Sequence, residues 1–366
     1  MGSSRALPAL VKELKGKQKV LLAWFDREGR ALPWRPPPGP WEVWVAETML
    51  QQTRVETVIP YYRRFLSRFP NPESFASARL EEALALWSGL GYYRRCRFLW
   101  EGVRRVAAAG TFPRDVAGWK ALPGVGSYTA AAIASICFGV PVPVVDGNTR
   151  RVAARLAALE GSYPRTEERR TLNEVLAALL DRDRPGDSNQ ALMDLGATIC
   201  TPRQPSCGRC PLQDSCLAFQ AGNPERFSLK KQGSAMQRKR ETAFFVERGG
   251  RILLFRRPEN TELLPGLWEL PKATGGPQEA SRFLQRMHGV RIEAKESLAK
   301  LTHAITTRRI EIEVVKGEVK ATTVALREAA WSAGWFTLEE AQQLALTGLT
   351  RKYLQRGNRL RIREKG

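Results

Sequence analysis

The sequence lacks any apolar run long enough to cross a bilayer. Residues 1–19 contain neither the apolar stretch nor the small-residue cleavage site of a secretory signal. We also find no internal repeat and no low-complexity tract. These absences argue against a membrane-spanning, secreted or repeat protein. A chain of 366 residues is therefore expected to fold as two or three domains in the cytoplasm.

Acidic residues are scarce relative to basic ones. Lys and Arg number 58 and Asp and Glu number 37, so the formal net charge is +21. A surplus of this size indicates a polyanionic partner, and nucleic acid is the leading interpretation. A solvated basic surface is the alternative. A membrane surface is disfavoured, because no basic amphipathic anchor is evident.

Cysteine is also sparse, but four of the six cysteines fall within seventeen residues. Cys96 and Cys137 are isolated in apolar, helix-like segments and are expected to be core thiols. The others follow the pattern Cys200-(six)-Cys207-(two)-Cys210-(five)-Cys216. In a cytosolic protein such a cluster predicts a metal site rather than disulfides. Four thiolates suit either a zinc ion or an iron–sulfur cluster.

Helical periodicity extends over residues 11–219, with apolar residues at three- and four-residue spacing. A basic segment follows, and strand-like runs then lie at residues 242–246, 251–255 and 309–315, with a helix-like stretch at 278–288. We therefore predict a helical region at residues 1–226, a linker at 227–241 and an α+β domain at 242–366.

A glycine turn, Leu122-Pro123-Gly124-Val125-Gly126, precedes an Ala-rich helix. Its two glycines allow a tight turn and a close approach to another surface. The N-terminus of the following helix presents unpaired N–H groups, which form a natural phosphate site. A simple connection between two helices is the alternative.

Two carboxylates are candidates for chemistry. Glu47 shares a predicted helix face with Val43, Trp44 and Leu50, and such apolar neighbours would raise its pKa until it could donate a proton near neutral pH. An exposed helical glutamate is the alternative. Asp146 precedes Asn148-Thr149-Arg150, and a helix N-cap is the alternative for that residue.

Four segments of the helical region together resemble the adenine DNA glycosylase (MutY) family. They are Leu32-Pro33-Trp34-Arg35, Glu47-Thr48-Met49-Leu50-Gln51-Gln52-Thr53, Gly89-Leu90-Gly91-Tyr92-Tyr93, and the glycine turn followed by Asp146. The cysteine spacing is similar to the 4Fe–4S loop of endonuclease III-type glycosylases, and zinc remains the runner-up. The resemblance covers residues 19–219. It implies a mainly α helix-hairpin-helix glycosylase core, with a six-helix barrel lobe and a 4Fe–4S lobe that includes the loop at 200–216.

The resemblance implies a monofunctional glycosylase that hydrolyses the N-glycosidic bond of adenine mispaired with 8-oxoguanine or guanine. The reaction needs a proton donor for the leaving base and a fixed carboxylate for the cationic sugar. The match gives Glu47 the first role and Asp146 the second, with Tyr128 and Asn148 in support. Similar glycosylases that also cut the strand place a Schiff-base lysine where this chain has Tyr128.

The same match implies which residues contact DNA. Arg35 and Trp34 resemble part of the adenine pocket. Gln52 and Tyr92 match residues that fill or wedge the duplex once the base has left the stack. The further candidates in these motifs are Leu50, Thr53, Gly124 and Gly126. Core packing is the alternative for both aromatic residues.

Residues 242–360 resemble the Nudix-like domain that reads 8-oxoguanine in this family. The helix-like stretch at 276–289 has Glu279 but lacks the paired glutamates that hold magnesium, so we do not expect metal-dependent hydrolysis there. The family's Phe-Ser-His turn aligns with Ile305-Thr306-Thr307, just after His303. Thr306 keeps a hydroxyl for the damaged base, Ile305 keeps an apolar wedge, and Thr307 replaces the histidine.

We therefore expect a nucleoid-associated monomer that binds double-stranded DNA containing an A:8-oxoguanine or A:G mispair, carries a 4Fe–4S cluster and binds no membrane. A bifunctional endonuclease III-like glycosylase/AP lyase is the first alternative. A non-catalytic iron–sulfur DNA-binding protein is the second, and the presence of both Glu47 and Asp146 argues against it.

Overall fold

The computed structural model describes residues 6–36, 39–160, 166–227, 237–261, 264–305, 308–320 and 332–363. Internal contacts divide the chain into two units. The first consists of Met1–Ala76 and Glu101–Gly233, and the second of Ser77–Trp100 and Ser234–Gly366. Among the described residues, no helix combines the length and apolar character that a membrane crossing requires.

Among the described residues up to Phe227, the regular structure is helical. The α-helices are α1 (Ala6–Lys15), α2 (Gln18–Glu28), α3 (Pro40–Leu50), α4 (Val55–Arg68), α5 (Pro72–Ala76), α6 (Leu80–Trp87), α7 (Arg94–Ala109), α8 (Val116–Lys120), α9 (Ser127–Phe138), α10 (Gly147–Leu156), α11 (Thr166–Ala178), α12 (Pro185–Thr198) and α13 (Leu217–Gln220). This agrees with the helical periodicity of the sequence.

Two of the apolar cores in the described part of the first unit hold many of its helices together. One joins α1, α2, α10, α11 and α12 through fully buried side chains such as Leu14, Leu176 and Leu192. The other is aromatic, and in it Phe65, Phe69 and Phe75 pack edge to face with ring centroids 5.0–5.1 Å apart. Each such buried side chain contributes roughly 1.5–3 kcal/mol, so the two cores fix the helices that carry the site.

A helical hairpin is built by α8, the glycine turn and α9. Gly124 adopts a φ of 72°, in the left-handed region that a side chain disfavours. Val125 N donates to Leu122 O over 3.2 Å and closes the turn. Gly126 then caps α9, whose alanines at 130–132 are buried against neighbouring helices. The turn therefore presents the N-terminus of a buried helix at the surface.

The second unit contains a mixed sheet. Its strands are β1 (Gln237–Arg248), β2 (Arg251–Arg256), β3 (Trp268–Glu269), β4 (Lys272–Thr274), β5 (Ile292–Ile305), β6 (Arg308–Val319) and β7 (Ser332–Phe336). They are joined in the order β3-β2-β1-β6-β5, with β4 on β1 and β7 on β2. Only the β1–β6 pair is parallel among the paired strands described. The α+β character predicted for this region is confirmed.

Alternation along the strands sends successive side chains to opposite faces of the sheet. Ala243 and Val314 join one apolar core, whereas Phe244 and Val315 join another. The first core includes side chains of α15 (Leu338–Gln343) and α16 (Gly348–Arg363), and the second includes side chains of α14 (Pro277–His288). Helices thus cover both faces of the sheet.

The start of β1 differs from the predicted linker. The strand begins at Gln237, so residues 237–241 are strand rather than linker. Their basic side chains hid this from the sequence pattern, but in a parallel ladder Arg240 pairs with Glu311 and Glu241 with Ile312. Residues 228–236 of the predicted linker lie outside the described residues.

Candidate active site

Glu47 is a buried acid on a buried helix. Helix α3 begins with Pro40 in its first turn, and every residue from Val43 to Met49 is buried. Glu47 itself is only 5% exposed, so the alternative of an exposed helical glutamate is wrong. Within the described part of the chain, no group hydrogen-bonds its Oε2 atom. The pKa of Glu47 is raised to about 7. Burial is the main cause, the hydrogen bond from Tyr128 opposes it, the charge of Asp146 adds to it, and the charge of Arg35 opposes it.

Tyr128 supplies the hydrogen bond to Glu47. It is the second residue of α9, directly after the glycine turn, and it packs against the apolar cluster of Ala131, Ala132, Val144 and Met193. Burial raises the pKa of Tyr128 well above its ordinary value, and the charges of Glu47 and Asp146 act in the same direction. The phenol therefore stays protonated and donates to the Glu47 carboxylate. A lysine at this position would have presented an amine instead.

Asp146 is the N-cap of α10. The sequence left a helix N-cap open as the alternative for this residue, and the structure confirms the cap. Asp146 Oδ1 accepts from the backbone N–H groups of Asn148 (2.9 Å) and Thr149 (2.7 Å). Its Oδ2 accepts from Asn148 Nδ2 at 3.2 Å. In return, the backbone N–H of Asp146 donates to Thr149 Oγ1, which completes a capping box. The cap fixes the carboxylate within electrostatic range of both Glu47 and Tyr128.

Asn148 connects Asp146 to the cysteine loop. Its Oδ1 accepts from Arg151 Nη2 at 3.0 Å, and Arg151 Nε donates to the carbonyl oxygen of Cys200 at 2.7 Å. Arg151 Nη2 also donates to Gly196 O at 2.6 Å. Gly196 allows this approach of α12 to α10, because a Cβ there would lie 2.6 Å from Asn148 Cβ. Hydrogen bonds therefore connect the Asp146 carboxylate, through Asn148 and Arg151, to the backbone of Cys200, a predicted cluster ligand.

Arg35 enters the same environment from the loop before α3. The pKa values of Glu47 and Tyr128 are both raised, and the positive charge of Arg35 partly opposes that rise. Its guanidinium is held by Asp194, to which Nη1 donates at 2.7 Å and Nη2 at 3.2 Å. Trp34, its neighbour, is instead buried in the core and meets Tyr62 edge to face at 5.2 Å. The packing alternative for Trp34 is therefore correct as geometry, and its place in an adenine pocket stays a prediction.

The remaining predicted DNA contacts of the first unit lie on two surface turns. Gln52 is exposed after α3 with a φ of 57°. Leu50 and Thr53 flank it, and Thr53 N donates to Leu50 O at 3.2 Å. Gly124 and Gly126 are exposed on the hairpin turn. Gln51 Nε2 donates to Thr129 Oγ1 at 3.2 Å and so ties the end of α3 to the start of α9.

The candidates of the second unit are described only in part. Tyr92 lies on the turn between α6 and α7, where it is 41% exposed. His303 and Ile305 belong to β5, and Ile305 pairs with Arg308 of β6. Thr306 and Thr307 lie outside the described residues. The recognition role of these positions stays a prediction.

The four clustered cysteines are half-buried in the first unit. Burial raises the pKa of Cys210 to about 12, and the three other thiols act in the same direction, so the four are near one another. No three His, Cys, Asp or Glu side chains of the described residues are arranged to hold a single metal ion. Buried Arg155 donates to Cys200 Sγ at 3.2 Å and to Thr201 O at 2.7 Å. Four close thiols and an N–H donor aimed at a sulfur fit an iron–sulfur cluster.

Comparisons with known proteins match three regions of the chain. Residues 45–178 match the HhH-GPD superfamily base excision DNA repair protein family, residues 200–216 match the iron-sulfur binding domain of endonuclease III, and residues 242–356 match the NUDIX domain. A solved structure of a thermostable thymine-DNA glycosylase is 27% identical, covers 57% of this chain and 98% of its own, and superposes with a TM-score of 0.52. The helical unit is therefore that of a base excision repair DNA glycosylase, an enzyme that acts on DNA.

Two curated relatives narrow the class to a family. An adenine DNA glycosylase of Homo sapiens is 34% identical over 409 residues, which cover 93% of this chain and 74% of that protein. The corresponding Arabidopsis thaliana protein is 34% identical over 416 residues, covering 91% of this chain and 66% of that protein. The chain belongs to the adenine DNA glycosylase family. The predicted fold class and the 4Fe–4S cofactor are confirmed with it.

Sequence reasoning missed several polar residues that organise the site. Asp194 is fully buried on α12, and the arginines that serve the site from outside the motifs are Arg30, Arg151 and Arg155. One signal was available, because Asp194 is a lone acid in the run Ala191-Leu192-Met193-Asp194-Leu195. Charged residues are rarely fully buried unless they are paired.

Proposed function

We propose that the protein hydrolyses the N-glycosidic bond of adenine mispaired with 8-oxoguanine or guanine in duplex DNA, and leaves the strand intact. The observation that carries the proposal is Glu47, an acid whose pKa burial raises to about 7 while an N-capping carboxylate, Asp146, lies within electrostatic range. Two carboxyl groups with different environments are the equipment that glycosidic cleavage requires.

The proposed reaction begins with the proton on Glu47. This proton moves to a ring nitrogen of adenine, and the bond between C1′ and the base then breaks with its electron pair going to the base. The sugar is left as a cation, which the Asp146 carboxylate stabilises or traps. Water adds to C1′ and returns a proton to Glu47. The Oε2 atom of Glu47, which has no hydrogen-bond partner among the described residues, is placed to hold that proton.

The supporting residues hold this arrangement in place. Tyr128 donates to Glu47, and Asn148 orients Asp146 through its side-chain amide. Arg35, held by Asp194, provides a fixed cation near the acid and a donor for the extruded base. Cys200, Cys207, Cys210 and Cys216 would hold the 4Fe–4S cluster, and the cluster would then cross-link the loop that they occupy.

Duplex contacts are assigned to the exposed turns. Gln52 and Tyr92 are both exposed at left-handed φ values of 57° and 50°, a conformation that projects a side chain from a tight turn. Gly124 and Gly126 open the N-terminus of α9 to a phosphate. The NUDIX-like domain is assigned to the base opposite adenine, through the residues between β5 and β6.

A single-turnover excision assay tests the proposal. The duplexes place adenine opposite 8-oxoguanine, guanine or thymine, and further duplexes carry thymine glycol or uracil. We expect release of adenine opposite 8-oxoguanine and guanine alone, and a rate for Glu47→Gln that is lower on the order of a thousandfold. Release of thymine glycol in preference to adenine would show that the substrate assignment is wrong.

A further inference from the structure

The turn between α6 and α7 carries an exposed aromatic residue in a strained conformation. Tyr92 has a φ of 50° and is 41% exposed. The preceding glycines bend the chain sharply, with φ values of 101° at Gly89 and 79° at Gly91. A bulky residue persists in the left-handed region only where its surroundings hold it there.

One carbonyl group of the C-terminal domain anchors both ends of this turn. Leu346 O accepts from Ser88 Oγ at 2.9 Å and from Tyr93 OH at 2.9 Å. Ser88 is fully buried and Tyr93 is 3% exposed. Both hydrogen bonds are therefore shielded from water, and they bridge more than 250 residues of sequence. Each hydroxyl stands immediately outside the Gly89–Tyr92 bend.

Both hydroxyls also accept a hydrogen bond. Arg351 Nε on α16 donates to Ser88 Oγ at 2.9 Å, and Gly89 N donates to Tyr93 OH at 3.1 Å. Leu346 is itself fixed, because it pairs with Trp268 in a parallel bridge of the sheet. The anchor is thus part of the NUDIX-like fold, and the turn is attached to it at two points.

The tip of the turn has the chemistry of a base-stacking surface. The Arg95 guanidinium lies 5.3 Å from the Tyr92 ring centroid and 5.6 Å from that of Trp87. Arg95 Nη2 and Trp87 Nε1 both donate to Gly91 O, each at 3.1 Å. Burial lowers the pKa of Arg95 to about 10, so it remains a cation at neutral pH. An exposed ring backed by a cation suits stacking on bases beside a phosphate backbone.

We propose that Ser88, Tyr93 and Arg351 are positioning residues through which the NUDIX-like domain holds Tyr92 in the conformation that enters the duplex. The domain then contributes to base extrusion as well as to recognition of the opposite base. The inference rests on the duplex contact assigned to Tyr92 under Proposed function.

The test measures unstacking of the duplex rather than excision. A duplex carries 2-aminopurine beside the mispair, and its adenine is 2′-fluoro-2′-deoxyadenosine, which resists cleavage because fluorine destabilises the sugar cation. The variants are Tyr92→Ala, the double variant Ser88→Ala/Tyr93→Phe, and the triple variant that combines them. Thr242→Val is the matched control, since Thr242 Oγ1 makes a comparable hydrogen bond to Gly275 O at 2.8 Å in the same domain.

We expect Ser88→Ala/Tyr93→Phe to lower the unstacking equilibrium on the order of tenfold, which corresponds to about 1.4 kcal/mol. Tyr92→Ala should lower it at least as much, and the triple variant no further than Tyr92→Ala. Arg351→Gln should show a smaller loss in the same direction. Thr242→Val should unstack the duplex like the wild type, although it also removes a hydrogen bond from the same domain. Tyr93→Phe alone keeps the ring and replaces the double variant if that one does not fold.

Two outcomes separate this inference from the function on which it rests. Normal unstacking by the anchor variants beside a defective Tyr92→Ala would overturn the inference and leave the role of Tyr92 standing. Normal unstacking by Tyr92→Ala would overturn both this inference and the duplex contact assigned to Tyr92. Additive losses in the triple variant would show that the anchor stabilises the domain without positioning Tyr92.

Discussion

Arg35 and Asp194 form a two-point ion pair, with Nη1 2.7 Å from Oδ2 and Nη2 3.2 Å from Oδ1. The side chain of Asp194 is 1% exposed and that of Arg35 is 12% exposed. Arg30 donates to the same carboxylate through Nε at 2.8 Å. Because the charge of Arg35 also lowers the pKa of Glu47, this pair connects a buried structural ion to the proposed catalytic acid.

The first prediction concerns Asp194→Asn. The substitution leaves two arginines without their shared counter-ion, and breaking a buried pair in this way costs about 3–5 kcal/mol. We expect the free energy of unfolding at pH 7 to fall by roughly 3 kcal/mol, as measured by urea denaturation. Asp187→Asn is the control on the same helix, because the pair that Asp187 forms with Arg184 is 36–42% exposed. It should cost under about 1 kcal/mol. Equal losses for both variants would contradict the burial argument.

The pH dependence of this pair has a definite sign. Burial raises the pKa of Asp194, but the hydrogen bonds and charge of Arg35 together with Arg30 outweigh it, so the pKa in the folded protein lies below the ordinary 3.8. The stabilisation is therefore present above about pH 4 and is lost as the pH falls through the lower, folded value. The difference in stability between the wild type and Asp194→Asn should shrink below pH 4.

The second prediction is a pH profile for excision. With a Glu47 pKa of about 7, the proton donor is charged above that pH. We expect the single-turnover rate to fall about tenfold per pH unit above neutrality, and Glu47→Gln to lower it on the order of a thousandfold at pH 6. Tyr128→Phe removes a hydrogen bond that lowers the Glu47 pKa, so its falling limb should move to higher pH. A rate independent of pH between 6 and 9 would remove Glu47 from this role.

The third prediction separates the chemistry of Glu47 from its effect on stability. Its pKa is raised from 4.5 in the unfolded chain to about 7 in the folded one, so the folded protein loses stability as the pH rises through that window. Glu47→Gln removes the titration, and we expect it to be more stable than the wild type at pH 8, by up to about 3 kcal/mol. Thermal melting of both proteins at pH 5 and pH 8 measures this. An unchanged difference between the two pH values would show that Glu47 is not buried as a neutral acid.

The sequence predicted the elements of this site better than the connections among them. Glu47 was a candidate from its apolar helix neighbours, whereas Tyr128 and the role of Asp146 came from the family resemblance, and the structure brings the three side chains near one another. Asp194 was not found, because its partners Arg30 and Arg35 lie about 160 residues away, and no local pattern encodes such a pairing. The same limit applies to Leu346, whose carbonyl reaches Ser88 only through the tertiary fold.

Packing also bears on positions that the sequence left open. Trp34 suited either a pocket or the core; it is buried against Tyr62, and its place in an adenine pocket stays a prediction. The beginning of β1 was assigned to a linker because Lys239 and Arg240 are basic. Pairing with β6 provides hydrogen bonds to the backbone of these residues regardless of their side chains. A pattern of hydrophobicity therefore does not predict this part of the strand.

The fourth prediction concerns the cysteine loop. Purified protein should be brown, with about four irons per chain, since four thiolates hold a 4Fe–4S cluster. Cys210→Ser should lose most of the visible absorbance and iron, while Cys137→Ala, which changes a cysteine outside the loop, should keep both. Iron analysis and absorption spectra of the three proteins measure this. An active, colourless protein that contains only zinc would favour the alternative that the cysteine spacing left open.

The last prediction concerns the strand itself. Strand cleavage by a lyase requires an amine at the opened sugar, where it forms an imine. The hairpin presents the protonated phenol of Tyr128 beside Glu47 instead, and Lys120 lies at the end of α8, before the turn. We therefore expect adenine release to leave an intact strand with an abasic site, nicked only after alkali or heat. Borohydride should trap little of the wild type, and Tyr128→Lys should raise trapping. Efficient nicking without alkali, with strong trapping of the wild type, would identify a second nucleophile and favour the bifunctional alternative.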